Sequence, residues 1–498
     1  MTPYSVWRTE LGEQNARSRI GFSQITGAAV VVSLSAIVGM ILFLTEHEAL
    51  ALAAVAVGAF SAFVTTAPPF WLALFLVVLI PFHGLITALL GDLGSSARQW
   101  FAIWKEVLWA VGIFRLLRHN PNRKEIIASN RWVLIWSGLL MLVYCVTFLR
   151  LPSTAAIFSL DLETRFLGVM LFFMFLELDG KRIASLIRAM VWSVGLIALY
   201  GLVQYLWDYE RLLPLLFSTS EVTADDTRRL YSYSLSIFDA GYGAAIAILV
   251  LFSGAGRTTL RSALPLYALL VPCLFLTYTR SAYLGLLAGI VTVCILDRAH
   301  VRRHAMVMTL ALCLISAAIL FGGASVRNSD LGQRLQSIVS QTDGSSIAHK
   351  ESLKKAVNSI STNPLGIGLG KNGIVQAIFA GGVDQSMMTE DWTLQVAVQT
   401  GWLGSAAYLG LTAAILISLL RTRPSWNRDA TLLRIAAAAV FVAMTAVGVM
   451  IPVWDHLLTT VYAWTLVGMA LATRASDRPA RKVRTATLPA SVMTEGDS

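Results

Sequence analysis

Leu274-Phe-Leu-Thr-Tyr-Thr-Arg-Ser-Ala-Tyr-Leu-Gly-Leu-Leu287 sets a lone cation, Arg280, between two apolar stretches that each approach the length needed to span a bilayer. Carrying an Arg into hydrocarbon costs roughly 2.5 to 3.5 kcal/mol on insertion scales. Such a residue faces a water-filled cavity or a charged partner, or it snorkels from a helix end to the headgroups. Composition extends the same pattern over the whole chain. Of 498 residues, 56% are hydrophobic and 14% are charged, against about 25% charged in soluble domains. The expected fold class is an all-α polytopic membrane protein, because only helices or closed barrels satisfy backbone groups in lipid and these runs are too long for barrel strands.

A window of about twenty residues finds about fourteen apolar spans. They cover 25–45, 48–66, 69–90, 100–117, 132–150, 163–178, 185–207, 233–254, 262–279, 281–297, 304–323, 395–420, 432–450 and 456–473. Spans 163–178 and 281–297 are short, so the expected total is 12–14. Basic residues give a separate test of topology. With the amino terminus inside, Arg115/Arg118/Arg123/Lys124/Arg131, Lys181/Arg182, Arg257/Arg261, Arg298/Arg302/Arg303, Arg421/Arg423/Arg428 and the Arg-rich tail all fall on one side. Both termini are expected to be cytoplasmic, and the net charge of +10 is a topogenic signal and not a nucleic-acid footprint. No cleavable signal peptide is read, since the first apolar stretch is full length. Cys145, Cys273, Cys294 and Cys313 lie in apolar segments without a CxxC and read as small core residues with no metal or redox role.

The expected organisation is a cytoplasmic segment 1–24, a bundle 25–323 with an outer loop 208–232, an outer lid 324–394, spans 395–473 and a disordered tail 474–498. Within the lid, Ser346–Ser361 repeats Leu353, Val357 and Ile360 at helical spacing with Lys350 and Lys354 beside the stripe, which predicts a short amphipathic helix. It ends at Asn363-Pro364 and runs into Leu365-Gly-Ile-Gly-Leu-Gly-Lys-Asn-Gly373. A phosphate loop needs G-x-x-x-x-G-K-[ST], but Leu365 stands five before Gly370 and Asn372 follows Lys371. A glycine turn that lets backbone approach a partner closely fits better.

Charges inside or beside spans are few. Arg188 sits where it can snorkel, and Lys105 with Glu106 enter a span as a self-compensating pair. Arg165, Arg280 and Asp239 are all expected in the outer half, with Arg228 and Arg229 just before the span of Asp239. Guanidinium forks gathered there suit a pyrophosphate. The alternative is that Arg165 or Arg280 pairs with Asp239 to hold helices together.

An Arg motif ending one span, a long loop whose helix closes in Asn363-Pro-Leu-Gly-Ile-Gly-Leu-Gly370, then Leu394-Gln395 and Gln399-Thr-Gly-Trp-Leu-Gly404 resembles the O-antigen ligase and polymerase superfamily, most strongly from about 160 to 410. The resemblance implies a GT-C-like bundle with a large periplasmic loop in the bacterial cell inner membrane. It also implies a metal-independent, inverting glycosyltransferase, without cofactor, acting on an undecaprenyl diphosphate-linked oligosaccharide at the periplasmic face. Its expected partners are that donor and membrane lipid, with a chain-length-regulating co-polymerase as a candidate and no nucleic acid. Arg280, in Thr277-Tyr278-Thr279-Arg280, and Arg165 match diphosphate-binding positions of the family. Tyr278 and Asp239 would support them. His349 and Lys350 stand where the lid helix of the family carries an Arg, and Glu390 and Asp391 stand where its ligases show a His-Asn pair. Glu390 or Asp391 is then the candidate base, with His349 as another, although both acids also suit a helix amino terminus. The departure from His-Asn favours a polymerase, which moves a growing glycan onto a lipid-linked repeat unit. A ligase acting on lipid A core or protein is the alternative, and a transporter of lipid-linked sugar the third possibility.

Overall fold

The computed structural model describes residues 58–91, 104–207, 230, 236–257, 260–297, 344–379, 389–421 and 428–476. Spans 25–45 and 304–323, most of 48–66, nearly all of 208–232, residues 324–343, Arg228, Arg229, Cys313 and both chain ends lie outside them. Among the described residues the chain is helical and has no strand. The protein is an all-α polytopic membrane protein.

The helices are α1 (Pro69–Leu79), α2 (His83–Gly91), α3 (Trp104–His119), α4 (Arg123–Ser129), α5 (Arg131–Arg150), α6 (Thr154–Phe175), α7 (Gly180–Trp207), α8 (Ile237–Phe252), α9 (Leu260–Leu276), α10 (Arg280–Leu296), α11 (Gly344–Thr362), α12 (Gly373–Phe379), α13 (Trp392–Leu420), α14 (Arg428–Gly448) and α15 (Leu457–Ser476). Among the described residues, five stretches are long and apolar enough to cross a bilayer: Pro69–Thr87, Arg131–Arg150, Gly180–Trp207, Trp392–Leu420 and Arg428–Gly448. Four shorter apolar helices stand beside them.

Packing follows from side-chain size. Between α10 and α14, Gly285 and Gly289 lie so close to the partner that an added Cβ would meet the Ala443 and Ala439 carbonyl oxygens at 3.1 Å. Small residues four apart let two backbones approach where lipid supplies no hydrophobic drive between helices. The bulky side chains gather instead where α6, α13, α14 and α15 meet. There Phe166 lies 4.6 Å from Trp464, and Trp454 lies 5.2 Å from Trp464 and 6.3 Å from Phe441, all buried.

Two expectations change. The short span 163–178 is the second half of a 22-residue helix, α6, which begins at an Ser153 cap whose hydroxyl accepts from Ala156 N. Asp161 and Glu163 had hidden its start, because their charge lowered the local hydropathy. Lid helix α11 does pack on α13, but through Ala356 and Ile360 against Ala397 and Val398, while Leu353 and Val357 are exposed. A neighbouring helix selected Ser352, Ala356 and Ile360 at i, i+4 spacing over the larger apolar residues one position further on.

Candidate active site

Loop segment 363–373 docks into a break in α13. Gly401 interrupts that helix at φ 77°, ψ −172°, a conformation open essentially to glycine. The break frees the Val398 and Gln399 carbonyls, which accept from Ile367 N at 2.9 Å and Gly368 N at 3.0 Å, and Trp402 N donates to Pro364 O at 3.2 Å. Gly366 presents its carbonyl to Arg150 Nη2 at 2.5 Å, and Gly370 abuts the backbone of Ala155. The glycine cluster is thus a close-approach segment that fastens the lid to α5, α6 and α13.

Directly beneath it lies a buried polar network. Glu163, fully buried on α6, accepts from Gln395 Nε2 and Gln399 Nε2 at 3.0 Å each and from Tyr144 Oη at 3.2 Å. Ser159 Oγ donates to Gln399 Oε1 at 3.0 Å, and Gln395 Nε2 also reaches Asp455 Oδ2 at 3.4 Å. Burying a carboxylate is costly unless every donor around it is aimed at it, so these residues fix the relative placement of α5, α6 and α13. Sequence reading missed Glu163, Tyr144 and Asp455. Its available signal was a carboxylate two residues before Arg165 in an otherwise apolar run.

The acid and base candidates meet above the network. His349 Nδ1 of α11 lies 2.8 Å from Glu390 Oε2, with both side chains about one-third exposed. Ser352 on the same helix lies with its hydroxyl 3.2 Å from Glu390 N. An ionised carboxylate can only accept, so against it Nδ1 is the donor, and in the neutral ring Nε2 is then the nitrogen with the lone pair. Asp391 is different. Its Oδ1 accepts from Leu394 N at 2.8 Å and caps α13, and burial pushes its carboxyl above the usual carboxylate range against the pull of that N–H. Lys350 is exposed.

Arg280 heads α10 directly after a tight turn. Thr277 Oγ1 donates to Leu274 O at 2.7 Å, Tyr278 takes a left-handed φ of 52°, and buried Thr279 stands at the amino-terminal boundary of the next helix without a side-chain capping bond. Gly241 of α8 sits against Thr277 and Thr279, and Tyr242 Oη meets Ser281 Oγ at 2.7 Å. At the same helix head Phe238 and Tyr242 enclose His456, ring centroids 5.0 and 5.7 Å away. Asp239 is buried and its carboxylate accepts from Thr459 N and Oγ1, both at 3.4 Å. It therefore ties α8 to α15 and is paired with neither Arg165 nor Arg280. His456 and Thr459 follow Asp455, which joins this region to the Gln395 network. Arg165 stands in a third group: its Nη2 lies 3.0 Å from Asp161 and its Nε 3.8 Å from Glu106, which pairs with Lys105 at 2.8 Å. Lys105 and Glu106 do compensate one another, and Arg165 joins them.

Residues 265–409 match the family described as O-antigen ligase. This matched domain supports the O-antigen ligase and polymerase superfamily. Members of this family are glycosyltransferase-like enzymes. No curated protein matches the chain. The matched stretch runs from α9 through the first half of α13 and holds Arg280, His349, Glu390, Gln395, Gln399 and Gly401, whereas Glu163, Arg165 and Asp455 come from flanking helices. Among the described residues no group of three or more His, Cys, Asp or Glu side chains is arranged to hold a metal ion.

Proposed function

We propose that the protein is a polysaccharide polymerase that transfers a growing O-antigen or exopolysaccharide chain from an undecaprenyl diphosphate carrier onto a lipid-linked repeat unit. The observation that carries this is the His349–Glu390 pair, held at 2.8 Å on the lid side of the bundle that α10 enters with Arg280. In an inverting transfer the acceptor hydroxyl attacks the anomeric carbon as the bond to the diphosphate oxygen breaks. His349 Nε2 takes the hydroxyl proton, and Glu390 keeps the ring oriented and offsets its positive charge. The departing lipid diphosphate carries the bonding electron pair, and Arg280 offers a planar fork for its charge. Arg165, shared between Asp161 and Glu106, would bind diphosphate only by giving up one of them. In this reading the lid end faces the periplasm, the protein lies in a bacterial inner membrane and both termini are cytoplasmic.

Polymerization is favoured over ligation by Glu390-Asp391 at the place of the family ligases' His-Asn pair, with Asp391 spent as a helix cap. One observation favours a ligase: His349 returns an imidazole to that place from another helix. Purified protein reconstituted with lipid-linked repeat units as the only glycan separates the two. A ladder of lengthening lipid-linked chains supports the polymerase. Transfer seen only after lipid A core or protein acceptors are added identifies a ligase, and no transfer to any acceptor refutes both.

A further inference from the structure

A cavity lies at the other end of the bundle. Helix α6 starts beside the lid and ends at Phe175, so α7, which begins at Gly180, enters from the opposite face. At that face α7 and α9 enclose a cavity of about 560 Å³ lined by Lys181, Ser185, Arg188 and Trp192 of α7 and by Ser262 and Leu266 of α9. None of these residues takes part in the site described above.

The four α7 residues form one stripe at helical spacing, graded along the axis from cation to hydroxyl to cation to indole. Helix α7 has 28 residues, about 42 Å at 1.5 Å per residue, against a hydrocarbon core of about 30 Å. The excess of about 12 Å, shared between its two ends, brings its first turn with Lys181 to headgroup depth, with Arg188 reaching back toward that surface and exposed Trp192 one turn beyond Arg188. The charges are available. Arg182 pairs with Asp179 at 3.9 Å, whereas among the described residues neither Lys181 nor Arg188 meets a carboxylate. Arg188 uses Nε on the Ala184 carbonyl at 3.2 Å and approaches Ser185 Oγ at 3.5 Å, which holds the guanidinium against the cavity with donors to spare.

We propose that this cavity binds a phosphate group carried by an anionic phospholipid of the leaflet opposite the lid. The phosphate lies between Lys181 and Arg188, with the Ser185 hydroxyl as a further donor, and the acyl chain runs along Trp192 and Leu266. Basic pockets between transmembrane helices bind lipid headgroups in this way.

The test uses the full chain in neutral phosphatidylcholine discs, titrated with phosphatidylglycerol, with retained lipid counted by native mass spectrometry. A K181Q/R188Q variant should bind phosphatidylglycerol roughly thirtyfold more weakly, from about fivefold per lost charge. R261Q, an exposed neighbour on α9 outside the cavity, should bind like the parent. Both altered side chains are exposed, and the single R188Q variant provides the same comparison with a smaller loss. Equal retention in parent and double variant overturns the proposal. Inorganic phosphate is the second probe. If it stabilises the parent and not the variant while phosphatidylglycerol does neither, the ligand is a soluble phosphate and the lipid assignment is wrong.

Discussion

Replacing Gly401 with alanine should detach the lid from the bundle. An alanine Cβ there would stand 2.2 Å from Pro364 O and 2.7 to 2.8 Å from backbone atoms of Leu365. No side-chain rotation relieves contacts with backbone, and φ 77° with ψ −172° costs a non-glycine residue about 1 to 3 kcal/mol by itself. The strain is released if segment 363–370 leaves the break. That forfeits the hydrogen bonds Ile367 N to Val398 O, Gly368 N to Gln399 O and Trp402 N to Pro364 O, worth roughly 0.5 to 1.5 kcal/mol net apiece. Those bonds resist release, so the weakening of docking comes from the strain alone, about 3 kcal/mol once the backbone contacts are added to the conformational cost, or roughly a hundredfold in the docked population. Limited trypsin digestion reports this, because Lys371 is exposed and follows the segment directly. Cleavage after Lys371 should rise in proportion to the open fraction, and glycan output should fall as His349 and Glu390 separate. Gly138→Ala is the control, since no atom lies within 4 Å of its added Cβ. A Gly401→Ala protein with parental cleavage at Lys371 and parental product would refute the claim that this break anchors the lid.

Arg280→Ala should abolish product while the protein remains in the membrane, and Arg280→Lys should fail too if a bidentate fork is required; full activity of the lysine variant would show that a point charge suffices. Glu390→Gln and His349→Ala should each lower turnover by roughly a hundredfold or more, with the double variant no worse than the more damaging single, as expected of groups acting as one unit. Asp391→Asn should retain product because asparagine also caps helices, whereas Asp391→Ala should cost about 1 kcal/mol of stability; loss of product in the asparagine variant would give Asp391 a chemical role. Glu163→Ala strands the donors of Tyr144, Gln395 and Gln399 and should lower the melting temperature well beyond Tyr144→Phe, which removes a single bond; equal shifts would mean that the network contributes little to holding α5, α6 and α13 together.

Much of this molecule is written in local composition. Apolar runs interrupted by charge declare the membrane class, because the cost of burying backbone and charge in lipid is paid residue by residue. Arg280 stands out for the same reason, as does the mutual compensation of Lys105 and Glu106 as adjacent opposite charges. The polar interior was less legible. Glu163 looked like the polar margin of a short span, and only the approach of Gln395 and Gln399, more than 230 residues away in the chain, makes its burial tolerable. The partner of Asp239 and the Glu106 contact of Arg165 were equally hidden, since which charge meets which across helices depends on the rotation of packed helices about their axes, whereas Asp161 meets Arg165 at i, i+4 spacing on one helix.

The sequence by itself determined that the chain spans a membrane as helices and that a glycine-rich close approach follows the lid helix, since both depend on neighbouring residues and backbone sterics. Tertiary structure alone decided that α11 buries Ala356 beside Ile360 and leaves Leu353 and Val357 exposed, that His349 meets Glu390 and that Gly401 opens α13 to receive the lid. Those outcomes depend on which surfaces of distant helices come to face each other, and spacing along one chain carries no record of that choice.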